Sequence, residues 1–137
     1  MTLTNEQIRE RLTMERFPLA SKYDPQWIFD NEMGPNALWV TECLCEAMDL
    51  RRGMRVLDMG CGKALSSVFL ARELDVQVWA VDLWIKATDN WQRIQQAGLE
   101  DRVFPIHADA RSLPFAEGFF DAIVSLDSYH YFGTDDL

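Results

Sequence analysis

No run of apolar residues approaches the roughly 20 that a membrane-spanning helix needs. Positive charge is scarce as well: 13 Lys and Arg stand against 22 Asp and Glu, a net charge of −9. The first deficit excludes a membrane span. The second argues against a nucleic-acid backbone or an anionic membrane surface as the main partner. Cysteine is sparse, with three in 137 residues. Cys43 and Cys45 lie two apart on a predicted helix, and Cys61 sits in a glycine turn. That is neither a disulfide framework nor a zinc cluster, so no metal site is expected and a reducing cytoplasm is the natural compartment. Repeats and low-complexity tracts are missing, and the charged, periodic N-terminus is no signal or transit peptide. What is present is core material. Hydrophobic residues make up 48% of the chain, five Trp and eight Phe among them, which suits one ordered domain and is too little for two.

Two zones are visible, with the border near Gly53. Residues 1–52 read as a helical cap or lid segment. Thr4 and Gln7 form a capping box with Leu3 stapled onto Ile8, predicting a helix from Asn5 that fades near Arg16. Asp24-Pro25 opens a short helix through Trp27 and Phe29, and Asn36 caps another whose buried face repeats at Leu38, Thr41, Leu44, Cys45 and Met48. Residues 53–137 alternate strand and helix: strands at Arg55–Met59, Val76–Val81, Val103–His107 and Phe119–Leu126, with helices at Ala64–Leu74 and from Ala87 to Ala97. That alternation predicts an α/β fold, a Rossmann-like open sheet of about four parallel strands behind N-terminal helices. Pro105 places the third strand at an edge, whereas the fourth, apolar on nearly every residue, reads as central and buried on both faces.

Chemistry concentrates in Val56-Leu57-Asp58-Met59-Gly60-Cys61-Gly62-Lys63-Ala64, which joins the first strand to its helix. The glycines permit a sharp turn and close backbone approach, and a helix N-terminus follows that favours an anionic group. Asp82 ends the second strand 20 residues beyond Gly62, where an acid commonly grips ribose hydroxyls. An adenosine-bearing cofactor at the carboxyl ends of the strands follows. Leu65 stands where a dinucleotide fingerprint wants its third glycine, which counts against a nicotinamide-dependent oxidoreductase. Asp58 suits a ligand carrying an ammonium group.

The glycine segment resembles that of class I S-adenosylmethionine-dependent methyltransferases of the small-molecule type, with Ala64 where many members carry glycine. The similarity continues in order through V-W-A-V-D-L-W, H-A-D-A-R-S-L-P-F and F-D-A-I-V-S-L-D-S-Y-H-Y-F. The resemblance implies S-adenosylmethionine as cofactor. Asp58, Gly60, Cys61 and Gly62 would surround its methionine part, and the Ser125 backbone its ammonium. Asp82 would take the ribose hydroxyls, with Leu83 and Trp84 beside the adenine, Asp109 on its amino group and the Ala110 N–H on a ring nitrogen. It also implies a sheet of seven strands, of which four stand here in the order 3-2-1-4. The chain reads as the cofactor-binding half of a longer enzyme, itself poorly active, with Thr134-Asp135-Asp136-Leu137 opening a further helix.

Plainer readings stand beside these. Asp82 also suits a cap for the segment after it, Asp109 a turn, Trp84 a core position, and Cys61 filler. Asp127, Tyr129, His130 and Tyr131 follow the fourth strand in a loop that, by the resemblance, lines the acceptor pocket. His130 and Tyr129 are the candidate catalytic residues, His130 as a base, and an aromatic wall with an incidental His fits equally. Tyr23, Trp27 and Met33-Gly34 form either a lid or plain packing. The acceptor is expected to be a small molecule. The alternative function is a catalytically incompetent cofactor-binding module. The exposed edge of the fourth strand predicts a homodimer.

Overall fold

The computed structural model describes residues 2–133. Three helices come first: α1 (Asn5–Leu12), α2 (Pro25–Asn31) and α3 (Ala37–Ala47). Then β1 (Arg55–Met59), α4 (Leu65–Leu74), β2 (Gln77–Asp82), α5 (Ala87–Gln96), β3 (Val103–His107) and β4 (Ala122–Val124) alternate, with 3₁₀ turns at Ala20–Lys22 and Tyr129–Tyr131. The strands form one parallel sheet in the order β3-β2-β1-β4. The α/β class, the strand order and the proline-bearing edge strand all match the sequence expectation.

Side-chain alternation along the central strands builds two unequal cores. Val56, Val78 and Ala80 face α3, α4 and α5, where Leu38, Val68, Phe69 and Ile94 are fully buried. Leu57, Met59 and Val81 face the other way and are covered by the irregular segment after β3, through Leu113, Phe115 and Phe120. Trp79 anchors this second cluster against Phe104, Phe119 and Phe120, with ring centroids 5.0–5.5 Å apart.

Each N-terminal helix starts where a cap places it. Thr4 and Gln7 form the reciprocal box, Asp24 accepts from the Gln26 amide ahead of Pro25, and Asn36 accepts from Leu38 and Trp39. The segment is tied down by Glu42, a buried carboxylate on α3 that accepts the Leu19 and Ala20 amides at 3.0 and 2.8 Å.

Two expectations are corrected. The first helix does not reach Arg16 but ends at Leu12, where Thr13 turns extended and the Met14 amide donates to the Ser21 hydroxyl at 3.1 Å instead of continuing the helix; Arg16 pairs with Glu46 on α3. The fourth strand is three residues, not eight, and is not buried on both faces. Phe119 and Phe120 leave the strand path to pack on Trp79, and Asp121 instead exchanges two 2.8 Å hydrogen bonds with the Arg55 backbone. Ile123 is left 59% exposed. Smaller shifts occur at Ala64, which caps α4 in a left-handed conformation (φ 65°), and in β2, which runs one residue later than expected. The helix expected from Thr134 lies outside the described residues.

Candidate functional site

The carboxyl ends of β1, β2 and β4 open on a cleft with two chambers. One lies between the glycine loop, the α2–α3 turn and the loop after β4, and the other against the ends of β2 and β3; each has a volume of about 140 Å³. Gly60, Asp82, Trp84, Ser128 and Tyr131 line both and form the partition.

The glycine loop is braced from below. Gly60 and Cys61 amides both donate to the Val81 carbonyl, at 2.8 and 3.0 Å. Gly60 has φ +72° and Gly62 φ +56°, conformations that other residues rarely adopt. A Cβ on Gly60 would stand 2.5 Å from the Ser128 Oγ, and one on Gly62 would stand 3.0 Å from the Met33 Sδ. The loop therefore lies tight between the N-terminal segment and the loop after β4.

Asp82 is 8% exposed, and its carboxylate accepts three backbone amides: Gly62 at 2.9 Å, Trp84 at 2.8 Å and Ile85 at 2.9 Å. It caps the turn after β2 while holding the loop glycine. Two carboxylate oxygens offer about four acceptor positions, so one remains beyond those three. Asp58 lies beneath the loop, outside both cavity walls. Its Oδ2 accepts Ser66 and Ser67 hydroxyls at 2.6 and 2.7 Å, and its Oδ1 is buried with no partner among the described residues. Burial pushes its carboxyl up to about 6, against the two serine hydrogen bonds that pull it down.

The other sequence candidates divide. Cys61 and Gly62 line the first chamber; Leu83, Asp109 and Ala110 line the second. The Asp109 carboxylate is engaged by Arg111, Nε to Oδ1 at 2.9 Å and Nη2 to Oδ2 at 2.6 Å, which holds it down at about 2. Burial keeps the Cys61 thiol protonated, well above its ordinary range. Trp84 is 65% exposed, so it is not a core residue. Ser125 lies outside both walls, its hydroxyl 2.8 Å from that of Ser128. Tyr129 and His130 are exposed and line neither chamber; Asp127 and Tyr131 do instead. Of the lid candidates, Met33 and Gly34 line the first chamber, whereas Tyr23 and Trp27 stack on each other away from the cleft. Among the described residues no cluster suited to a metal ion occurs. No helix there is long and apolar enough to cross a membrane.

Sequence reasoning missed Asn90. Its Nδ2 donates to the Gly62 carbonyl at 2.9 Å, while its Oδ1 accepts from Arg93, whose Nε reaches Asn31 at 3.1 Å. This chain of contacts joins the loop to the end of α2. The only hint in the sequence is a polar residue on the face of α5 that also carries Ala87, Trp91 and Ile94.

A methyltransferase-domain family model matches residues 56–137, more than half of the chain. The chain belongs to the class I S-adenosylmethionine-dependent methyltransferase family. It is 33% identical over 93 residues to the 27-O-demethylrifamycin SV methyltransferase of Amycolatopsis mediterranei, an alignment covering 67% of this chain and 34% of that one. A solved S-adenosylmethionine-dependent methyltransferase from Geobacter sulfurreducens, in complex with S-adenosyl-L-homocysteine, superposes with a TM-score of 0.55 at 25% identity, covering 64% of this chain and 35% of that one. The [4+2]-cyclase SpnF superposes with a TM-score of 0.57 at 30% identity, covering 61% and 31%. This family member thus spans about a third of the length of the curated relatives it matches.

Proposed function

We propose that the cleft binds S-adenosylmethionine and that the protein transfers its methyl group to a small-molecule acceptor in a reducing cytoplasm. The observation that carries this reading is Asp82, a nearly buried carboxylate standing between the two chambers beside two left-handed glycines. The residues present fit the cofactor. The uncapped first turn of α4 offers Leu65 and Ser66 amides to a carboxylate, and the orphaned Asp58 oxygen leaves a buried acceptor beneath the loop. Asp82, with one acceptor position left, would take a ribose hydroxyl. Gly60, Cys61 and Gly62 would border the methionine part with the Ser125 backbone, and Leu83, Trp84, Asp109 and Ala110 would border the adenine. Residues 1–52 would act as the cap and 53–137 as the binding half-domain.

Bound there, S-adenosylmethionine supplies a methyl group on a cationic sulfonium to a nucleophile in line with it. This chain's part is alignment and exclusion of water. Relatives about twice as long support the view that the isolated 137 residues transfer methyl groups poorly. A second reading, a module that holds the cofactor without methyl transfer, is favoured by the cyclase relative, whose stated activity is no methyl transfer.

Calorimetry tests the site. S-Adenosylhomocysteine should bind and NAD should not, and Asp82→Ala should lose about ten- to a hundredfold in affinity. Because Asp82 also holds the loop, adenosine and 2′,3′-dideoxyadenosine should be compared on both proteins. A hydroxyl preference that survives Asp82→Ala overturns the ribose assignment.

A further inference from the structure

We propose that Asp127, with the aromatic rings of Trp84 and Tyr131, forms a cation-recognising subsite, and that the methyl acceptor is a small molecule bearing an ammonium group. This deepens the reading above and rests on it for the identity of the cofactor.

The charged side chains on the wall of the first chamber are Lys63, Asp82 and Asp127. Lys63 Nζ is held at 3.3 Å by the Asp30 carbonyl, and both Asp82 oxygens are held by backbone amides. Among the described residues the Asp127 carboxylate has no hydrogen-bond partner. The residue is exposed, and its Oδ2 lies 3.2 Å from where a Gly34 Cβ would stand, next to the turn between α2 and α3.

Asp127 has φ +54°, a left-handed conformation uncommon for residues other than glycine and best tolerated by Asn and Asp. Asparagine would satisfy that backbone equally well, so the turn alone does not account for a negative charge. On the same wall Trp84 and Tyr131 are 65% and 62% exposed, packed edge-to-face at 5.1 Å. Electron-rich rings and a carboxylate lining one chamber attract a cation and repel a phosphate or carboxylate. Three cations suit such a place: the acceptor's ammonium, the cofactor's sulfonium and the ammonium of its methionine part. S-Adenosylhomocysteine shares the last of these, so an Asp127 variant that loses S-adenosylhomocysteine affinity also overturns the proposal.

The probes are choline and its uncharged carbon isostere 3,3-dimethyl-1-butanol. Both are titrated into the chain with and without saturating S-adenosylhomocysteine, at about physiological ionic strength to suppress non-specific attraction to the acidic surface. Choline should bind about tenfold more tightly than the alcohol. Asp127→Asn and Asp127→Gly, both compatible with the left-handed turn, should each abolish that preference and leave S-adenosylhomocysteine affinity unchanged. Trp84→Leu should weaken choline more than the alcohol. Equal binding of the two probes, or a preference that survives both Asp127 variants, overturns the proposal. So does an Asp127→Asn variant that loses S-adenosylmethionine affinity while keeping S-adenosylhomocysteine and choline, since the carboxylate then serves the sulfonium. A choline preference without any S-adenosylhomocysteine binding would sink the cofactor reading and leave the subsite standing.

Discussion

Asp58 is a fully buried carboxylate whose pKa is raised by burial to about 6, from 3.8 in the open chain. The folded protein therefore binds that proton more tightly than the unfolded chain does. The stability this adds is fully present below about pH 4 and is lost as the pH rises through 6, a difference of about 3 kcal/mol. Asp109 runs the other way. Arg111 holds it down at about 2, so its contribution is present above the ordinary carboxylate range and fades in strong acid. Asp58→Asn keeps an oxygen for the Ser66 and Ser67 hydroxyls while removing the buried charge. That variant should melt higher than the parent at neutral pH, and its melting temperature should change less between about pH 4 and pH 6. Thermal melts across that range check both points. An Asn variant that melts lower at neutral pH would mean that the charge itself holds the first turn of α4 in place.

Among the elements, α5 carries a task beyond covering the sheet. Asn90, 2% exposed, fixes the Gly62 carbonyl and passes through Arg93 to the end of α2. Asn90→Ala leaves that carbonyl and the Arg93 guanidinium short of partners. A cost of about 1–3 kcal/mol in stability is expected, together with weaker S-adenosylhomocysteine binding. Melting and calorimetry on the same variant would separate a loop brace from a plain core residue, because only the brace moves the affinity. The strands were legible in the sequence because β1 and β2 lie between neighbours and carry apolar residues on both faces, and the caps because their side chains act within a few residues. The glycine loop and Asp82 were legible through spacing. Asn90 and Ser128 were not, since each owes its place to contacts between segments far apart in sequence. On a helix face or in a loop such residues look like ordinary solvated polar groups. The length of β4 failed for a related reason: Phe119 and Phe120 are as apolar as strand residues, and only the distant Trp79 draws them aside.

The whole molecule is lopsided. Helices cover one face of the sheet, an irregular aromatic segment covers the other, and among the described residues nothing pairs with the outer edge of β4. With Ile123 exposed beside that edge, two copies can associate through it, and three residues of strand make a weak contact. Light scattering across a dilution series should show self-association in the parent and a monomer in Ile123→Lys. A parent that stays monomeric throughout would show the edge to be adequately shielded. The pairing of β4 with β1 also has a bearing on synthesis. Asp121 bonds to Arg55, 66 residues earlier, so the glycine loop and both of its acids leave the ribosome well before the loop that walls the cleft. Three strands can assemble in that interval with the outer edge of β1 bare and no finished pocket for a ligand to occupy. Cofactor abundance cannot rescue the chain at that stage. The hazard in that interval is a wrong strand pairing on β1, and a chaperone that shields strand edges would protect the nascent protein where added ligand would not.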